Sequence, residues 1–285
     1  MILFRVFFGF CVFVASAFAN PSLESRLKEL PFHGSYLPQA QRFGLRGSEP
    51  DFVGLYVGKG TWEEGKEHLK MFLTEHQISY RSLTAQQIRN GDLVSSQVRV
   101  LIVPGGESWQ YLSELGEEGA ANIKAFVNAG GGYLGICAGA FYATSHREGG
   151  YATGKYGIGL LEGTAYDGTA LGTAPFIEGM MDFQMEPHPL VLGLEEQFRI
   201  VMFGGPSFRF TESEAQKKGI RVMARFRGFL EPAMITFHYG SGPVFLTGPH
   251  FEIEEDRTEW GNDFIDPDSE WPILERVMNY LSKNK

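Results

Sequence analysis

The sequence has little cysteine, no surplus of positive charge and no long apolar run beyond its N-terminus. Lys and Arg number 25 against 34 Asp and Glu in 285 residues, a formal net charge of -9. That balance excludes a broad electrostatic grip on nucleic acid or anionic lipid, and makes small molecules, peptides or proteins the default partners. No histidine pair and no CxxC has ligand spacing, and "EPH" at 186–188 reads as a turn, so neither a metal nor another cofactor is expected. Fixed-period repeats, low-complexity tracts and convincing linkers are also missing, so one elaborated domain over residues 51–285 is the simplest organisation.

The exception is the start. "MILFRVFFGFCVFVASAFAN" has one positive residue, Arg5, an apolar run from Val6, and small residues at Ala17 and Ala19. This is the layout of a cleavable secretory signal over residues 1–19, and the run is shorter than the ~20 residues that a membrane-spanning helix needs. The expectation is an exported protein, periplasmic or secreted, with no stable membrane anchor after cleavage. Of the two cysteines, Cys11 would leave with the signal and Cys137 would stay alone, unable to form an internal disulfide. In an oxidising compartment such a thiol needs either burial or a use.

Residues 20–50 carry Pro21, Pro31, Pro38 and Pro50 with no sustained period, and read as a lead-in. "DFVGLYVG" then predicts a strand, and "TWEEGKEHLKMFLTEHQ" a helix with Trp62, Leu69, Phe72 and Leu73 at helical spacing and a Thr61/Glu64 capping box. "ISYRSLT" and "VRVLIVPGG" predict further strands, the second unbroken by polar residues from Val100 to Val103, as a strand covered on both faces should be. A helix is predicted over "AANIKAFVNAGGG", after "GGESWQYLSELGEEG", and "YLGIC" gives the next strand. This alternation predicts right-handed βαβ units and a doubly wound parallel α/β sheet. Beyond Gly149, "FRIVMFGG", "GIRVMARF", "AMITFHYG" and "PVFLTGPHF" predict antiparallel additions and a return to the sheet. "WPILERVMNYLSKNK" predicts a closing helix with Pro272 in its first turn.

In "GGGYLGICAGAFYATS" Cys137 stands between a strand and a helix, flanked by Gly135, Ala138 and Gly139. A nucleophile that projects from so tight a turn needs small neighbours, and the backbone N–H of Ala138 is then aimed at a developing oxyanion. "LIVPGGES" ends another strand, where Gly105 and Gly106 leave backbone N–H groups open to a substrate. Among the seven histidines, His33, His68, His76 and His146 fall where surface positions are expected, and His188 and His238 have no partner set by spacing. His250, just past a strand end, has Glu252 two residues on. In an extended segment both side chains would face one side, giving a Cys137, His250 and Glu252 triad. Glu107 and Phe141 are further candidates for the pocket, with Trp109 as a possible wall, while core packing is expected for Tyr142.

The stretches "GLYVGKGTW", "VPGGESWQYL", "GGGYLGICAGAFYA" and "TGPHFE" resemble the biotin-protein ligase N-terminal domain-like family, within the class I glutamine amidotransferase-like proteins. The resemblance runs from about Val53 to Glu254. It implies a flavodoxin-like fold, a triad of Cys137, His250 and Glu252, and an oxyanion hole near Gly106 and Ala138. The resemblance also makes Gly205 and Ser207 of "GGPSF" candidates for the pocket. It implies no biotin ligase activity, because the ligase domain's own catalytic motif is not in the sequence. Glutaminases of the class often carry Gln four residues after the nucleophile; here Phe141 stands there, which leaves glutamine open as the substrate. The expected function is a cysteine-dependent hydrolase acting on a small-molecule amide or peptide, with no partner protein identified. The competing expectation is a non-catalytic binding module with the same fold. A redox or reactive-carbonyl role is less favoured, since relatives of that kind tend to carry His directly after the cysteine, where this chain has Ala138.

Overall fold

The computed structural model describes residues 53–95, 97–150, 152–167, 178–258, 260 and 268–283; the signal-like segment 1–19 and the lead-in 20–50 lie outside the described residues. The main sheet has nine strands in the order β2-β1-β3-β4-β13-β12-β11-β8-β9. Its parallel half consists of β1 (Val53–Tyr56), β2 (Tyr80–Leu83), β3 (Val100–Val103), β4 (Gly132–Ile136) and β13 (Gly242–Thr247). The antiparallel half is β12 (Pro232–Tyr239), β11 (Arg221–Phe226), β8 (Glu178–Met185) and β9 (Gln197–Phe203). A smaller sheet of β10 (Ser207–Arg209), β7 (Leu161–Tyr166), β5 (Thr144–Glu148) and β6 (Gly154–Lys155) flanks it.

Helices cover both faces of the parallel half, and strand alternation assigns the core. Val100 and Ile102 point to one face, against Leu69, Phe72 and Leu73 of α1 (Glu63–Glu75) and the closing helix. Leu101 and Val103 point to the other, against Ile88 of α2 (Ala85–Arg89), Leu93 of α3 (Asp92–Ser95) and Tyr111, Ile123 and Val127 of α4 (Ser108–Asn128). The short α5 (Ala138–Ala143) follows β4 directly, α6 (Glu212–Lys218) leads into β11, and α7 (Trp271–Ser282) buries Ile273, Leu274, Val277, Met278 and Leu281. No helix among the described residues is long and apolar enough to cross a membrane.

Two local expectations are corrected. Thr61 and Glu64 form no capping box: Trp62 is the N-cap of α1, and the Thr61 hydroxyl donates instead to the Gly58 carbonyl at 3.0 Å. The capping box belongs to α2, where Thr84 and Gln87 satisfy each other's backbone N–H groups. The helix predicted from 120 onward begins earlier, at Ser108, because a kink at Gly116 (φ 57°, ψ -165°) joins a helical segment before it to one that resumes at Glu117. Beside the kink, the Arg89 guanidinium donates to the Glu114 carbonyl.

Two histidines act as acceptors for backbone N–H groups, which requires an unprotonated ring nitrogen. His188 Nδ1 accepts from Leu190 N at 3.2 Å, and His68, buried and not on the surface as its sequence context suggested, accepts from Glu254 N at 3.1 Å. Burial lowers both pKa values, and the Arg221 charge assists at His188, which falls to about 4. Below the ordinary value of ~6.5 the unfolded chain gains protons that these folded rings do not, so stability declines as pH falls from there toward 4. The urea midpoint is therefore expected to drop between pH 7 and pH 4.5. His188→Asn, whose amide oxygen can take the same N–H, should shrink that drop; an unchanged pH dependence in the variant would contradict the assignment.

Candidate functional site

The C-terminal ends of β1, β3, β4 and β13, neighbours in the parallel half, supply the site, as is usual for open α/β sheets. Cys137 follows β4 with φ 49° and ψ -105°, a strained conformation for a residue with a Cβ. The turn closes because its neighbours are small: a Cβ on Gly139 would stand 2.0 Å from the Val103 carbonyl oxygen. Cys137 N donates to Thr247 O at 2.8 Å, which ties the elbow to the end of β13. The side chain is 5% exposed, and its Sγ lies 3.4 Å from the Phe203 carbonyl oxygen, the hydrogen bond of its thiol form.

His250 and Glu252 do come together, by a route other than strand alternation. The segment is a turn, with Ile253 N bonded back to His250 O at 3.2 Å. His250 Nδ1 and Glu252 Oε1 are 2.8 Å apart, both residues are buried, and Trp271 Nε1 donates to the Glu252 carbonyl at 2.9 Å. His250 Nε2 is buried with no hydrogen-bond partner among the described residues, and the Cys137 side chain lies beside the ring, since both come within 3.4 Å of the position a Cβ on Gly105 would take. Burial by itself would lower the pKa of this ring. The charge of the Glu252 carboxylate, and after it that of the adjacent Cys137 sulfur, outweigh that and push it up to about 10. Gly105 makes the approach possible: a Cβ there would lie 2.5 Å from His250 Cε1 and 3.4 Å from Cys137 Cβ.

The loops after β1 and β3 are joined by a single antiparallel bridge, Thr61 opposite Gly106. The bonds of that bridge are Trp62 N to Gly105 O at 2.9 Å and Glu107 N to Gly60 O at 2.8 Å. Gly106 is thus a non-hydrogen-bonded position whose own N–H turns away from the pairing. Its φ of 137° is open only to glycine, and a Cβ would strike the Gly60 carbonyl oxygen at 2.0 Å. Neither Gly106 N–H nor Ala138 N–H, at the first position of α5, donates to a protein group among the described residues.

These groups open onto a cleft of about 760 Å³. Of the sequence candidates, Cys137, His250, Gly106, Glu107 and Phe141 line it, whereas Gly105, Ala138, Gly205 and Ser207 do not. Gly205 packs backbone on backbone, its missing Cβ making room for Gly248 O at 2.0 Å, and Ser207 is buried in β10. Trp109 is 49% exposed and outside the lining, while Tyr142 is buried in the core as expected. The wall is formed by residues the sequence did not single out for it. Trp62 stands edge-to-face on His250 with centroids 4.9 Å apart, Phe203 lies 5.3 Å from Trp62, and Trp260 stacks on Trp62. Arg147 of β5 lies at the floor, its guanidinium 3.9 Å from the Phe141 ring centre and donating to Ser108 Oγ at 3.2 Å. "GLYVGKGTW", with its glycines before Trp62, was the one stretch that could have indicated this wall.

Residues 52–270 match the sequence profile described as "Biotin-protein ligase, N terminal". An uncharacterized protein of Chlamydia muridarum is 27% identical over 65% of this chain and 72% of its own length. The biotin–protein ligase of Schizosaccharomyces pombe is also 27% identical over 65% of this chain, which spans only 29% of that enzyme. Among solved structures, one of a glutamine amidotransferase superposes on 81% of this chain and 98% of its own with a TM-score of 0.56 at 22% identity. The chain therefore belongs to the biotin-protein ligase N-terminal family and has a glutamine amidotransferase-like fold.

Proposed function

We propose that this protein is an exported thiol hydrolase of carbon–nitrogen amide bonds, with Cys137 as nucleophile, His250 as acid and base, and Glu252 as the group that orients the ring. The observation that carries the reading is the buried imidazole, hydrogen-bonded to Glu252 through Nδ1, with Nε2 left to the sulfur at the floor of an open cleft. The thiol proton passes to Nε2, and Sγ attacks the amide carbonyl carbon. The oxyanion accepts hydrogen bonds from the N–H groups of Gly106 and Ala138. His250 returns the proton to the departing nitrogen as the carbon–nitrogen bond breaks, which leaves a thioester on Cys137. Water, deprotonated by His250, then releases the acid and restores the thiol. Export rests on the signal-like residues 1–19.

Incubation with a panel of primary and peptide amides, followed by acid quench and intact-mass measurement, should reveal an acyl adduct on Cys137. Cys137→Ala should show neither adduct nor ammonia release. A panel that leaves the mass unchanged and releases no amine, while the folded protein still binds one of its members, would replace the hydrolase by a binding module.

A further inference from the structure

The hydrolase reading does not say which amides fit, and this inference rests on it. Three carboxylates line the cleft: Glu64 from α1, Glu107 from the loop after β3, and Glu178 at the start of β8. Glu64 accepts from Trp260 Nε1 at 3.1 Å and Glu107 from Trp109 Nε1 at 2.6 Å. Neutral indole donors hold these side chains in place without cancelling their charge. None of the three forms an ion pair among the described residues.

The cations of the cleft lie deeper and are already engaged. Arg147 is 5% exposed, covered by the rings of Phe141 and Tyr156 at 3.9 and 5.4 Å, and bonded to Ser108. The position a Cβ on Gly150 would take lies 2.3 Å from Asp167 Oδ2 and 3.2 Å from Arg147 Nη2, so a carboxylate accompanies this guanidinium. His250 is committed to Glu252 on one side, and its unpartnered Nε2, on a side chain 1% exposed, marks where a ligand's reacting group must sit.

Aromatic rings link that point to Glu64, since Trp62 stands on His250 at 4.9 Å and stacks on Trp260, the donor to Glu64. Trp62 and Trp260 are within 11° of parallel with centroids 6.0 Å apart, and Phe203 stands nearly perpendicular to both at 5.3 Å. Aromatic faces next to uncompensated carboxylates attract an ammonium group by its charge, and repel a carboxylate. We infer that the cleft selects amides that carry a positively charged group, held by Glu64, Glu107 and Glu178 against the aromatic wall while the carbonyl meets Cys137. Arg147 serves as an internal tie beneath Phe141 and not as an anion receptor.

Three probes of matched size test this: Nα-acetyl-lysinamide (cationic), Nα-acetyl-norleucinamide (neutral) and the α-amide of Nα-acetylglutamate (anionic). Calorimetric titration of the Cys137→Ala protein measures binding without chemistry, and ammonia release by the wild type measures turnover. The lysine probe should bind about tenfold more tightly than the norleucine probe, and the glutamate probe more weakly than either. The preference for the lysine over the norleucine probe should fall to within about twofold in Glu64→Gln/Glu178→Gln. Equal binding of lysine and norleucine probes, no binding of any probe, or a preference that survives the double substitution would overturn the inference. Preferential binding with no turnover of any probe would sink the hydrolase reading alone. Turnover of the neutral probe as efficiently as the cationic one would sink the charge preference alone.

Discussion

His250→Ala is expected to lower amide turnover by about 10²–10⁴-fold, the range associated with losing a positioned acid–base group. Among the described residues the ring is the side chain placed to take a proton from Cys137 and later deliver one to the leaving nitrogen, and its burial beside the carboxylate keeps solvent from substituting for it. Iodoacetamide labelling of Cys137 should slow in the same variant. Glu252→Gln retains the shape but removes the first of the influences that raise the ring's pKa, so its loss should be smaller than that of His250→Ala and should shift the pH profile of turnover to lower values. Turnover in His250→Ala within a few-fold of wild type would remove the imidazole from the mechanism.

The second large effect concerns the elbow. In Gly139→Val even the first added carbon would stand 2.0 Å from the Val103 carbonyl oxygen, and the obstacle is backbone that no rotamer change can clear. Strand β3 and helix α5 must separate, at an expected destabilisation of about 3 kcal/mol or more. For a protein of this size that corresponds to a fall of roughly 6–12 °C in Tm. Gly219→Asn is the control: Gly219 has a positive φ of 62° at the end of α6 but nothing within 4 Å of its missing Cβ, and Asn tolerates that backbone. Near-identical Tm changes in the two variants would contradict the close-packing account.

The contrast between what the sequence revealed and what it withheld has physical causes. Val100–Val103 and "YLGIC" were legible because a strand buried on both faces must be apolar throughout, and the glycines around Cys137 because a tight turn admits nothing larger. The positions of His250 and Cys137 just past strand ends were legible, but the turn that aligns His250 with Glu252 was not, since HxE spacing looks the same in a turn and in a strand. The aromatic wall was hidden for a different reason. Phe203 belongs to β9, an edge strand of the sheet, yet the antiparallel half curls back so that Val201 O accepts from His250 N at 2.8 Å and Gly205 rests on Gly248. Curvature of that kind is a tertiary property, and nothing local in "FRIVMFGG" encodes it. Trp62 likewise has the helical spacing of a core residue, although it faces the cleft at the N-cap of α1.

The most direct test asks whether folding awakens or silences one sulfur. Carboxamidomethylation of Cys137 can be timed at pH 6.5 in the native protein and in the same chain unfolded by urea, with intact mass as the readout. An imidazolium at its side should make the native thiol react at least ~10-fold faster than the unfolded one, and His250→Ala should abolish that advantage. A native thiol that reacts more slowly than its unfolded counterpart would mean that Cys137 merely fills space.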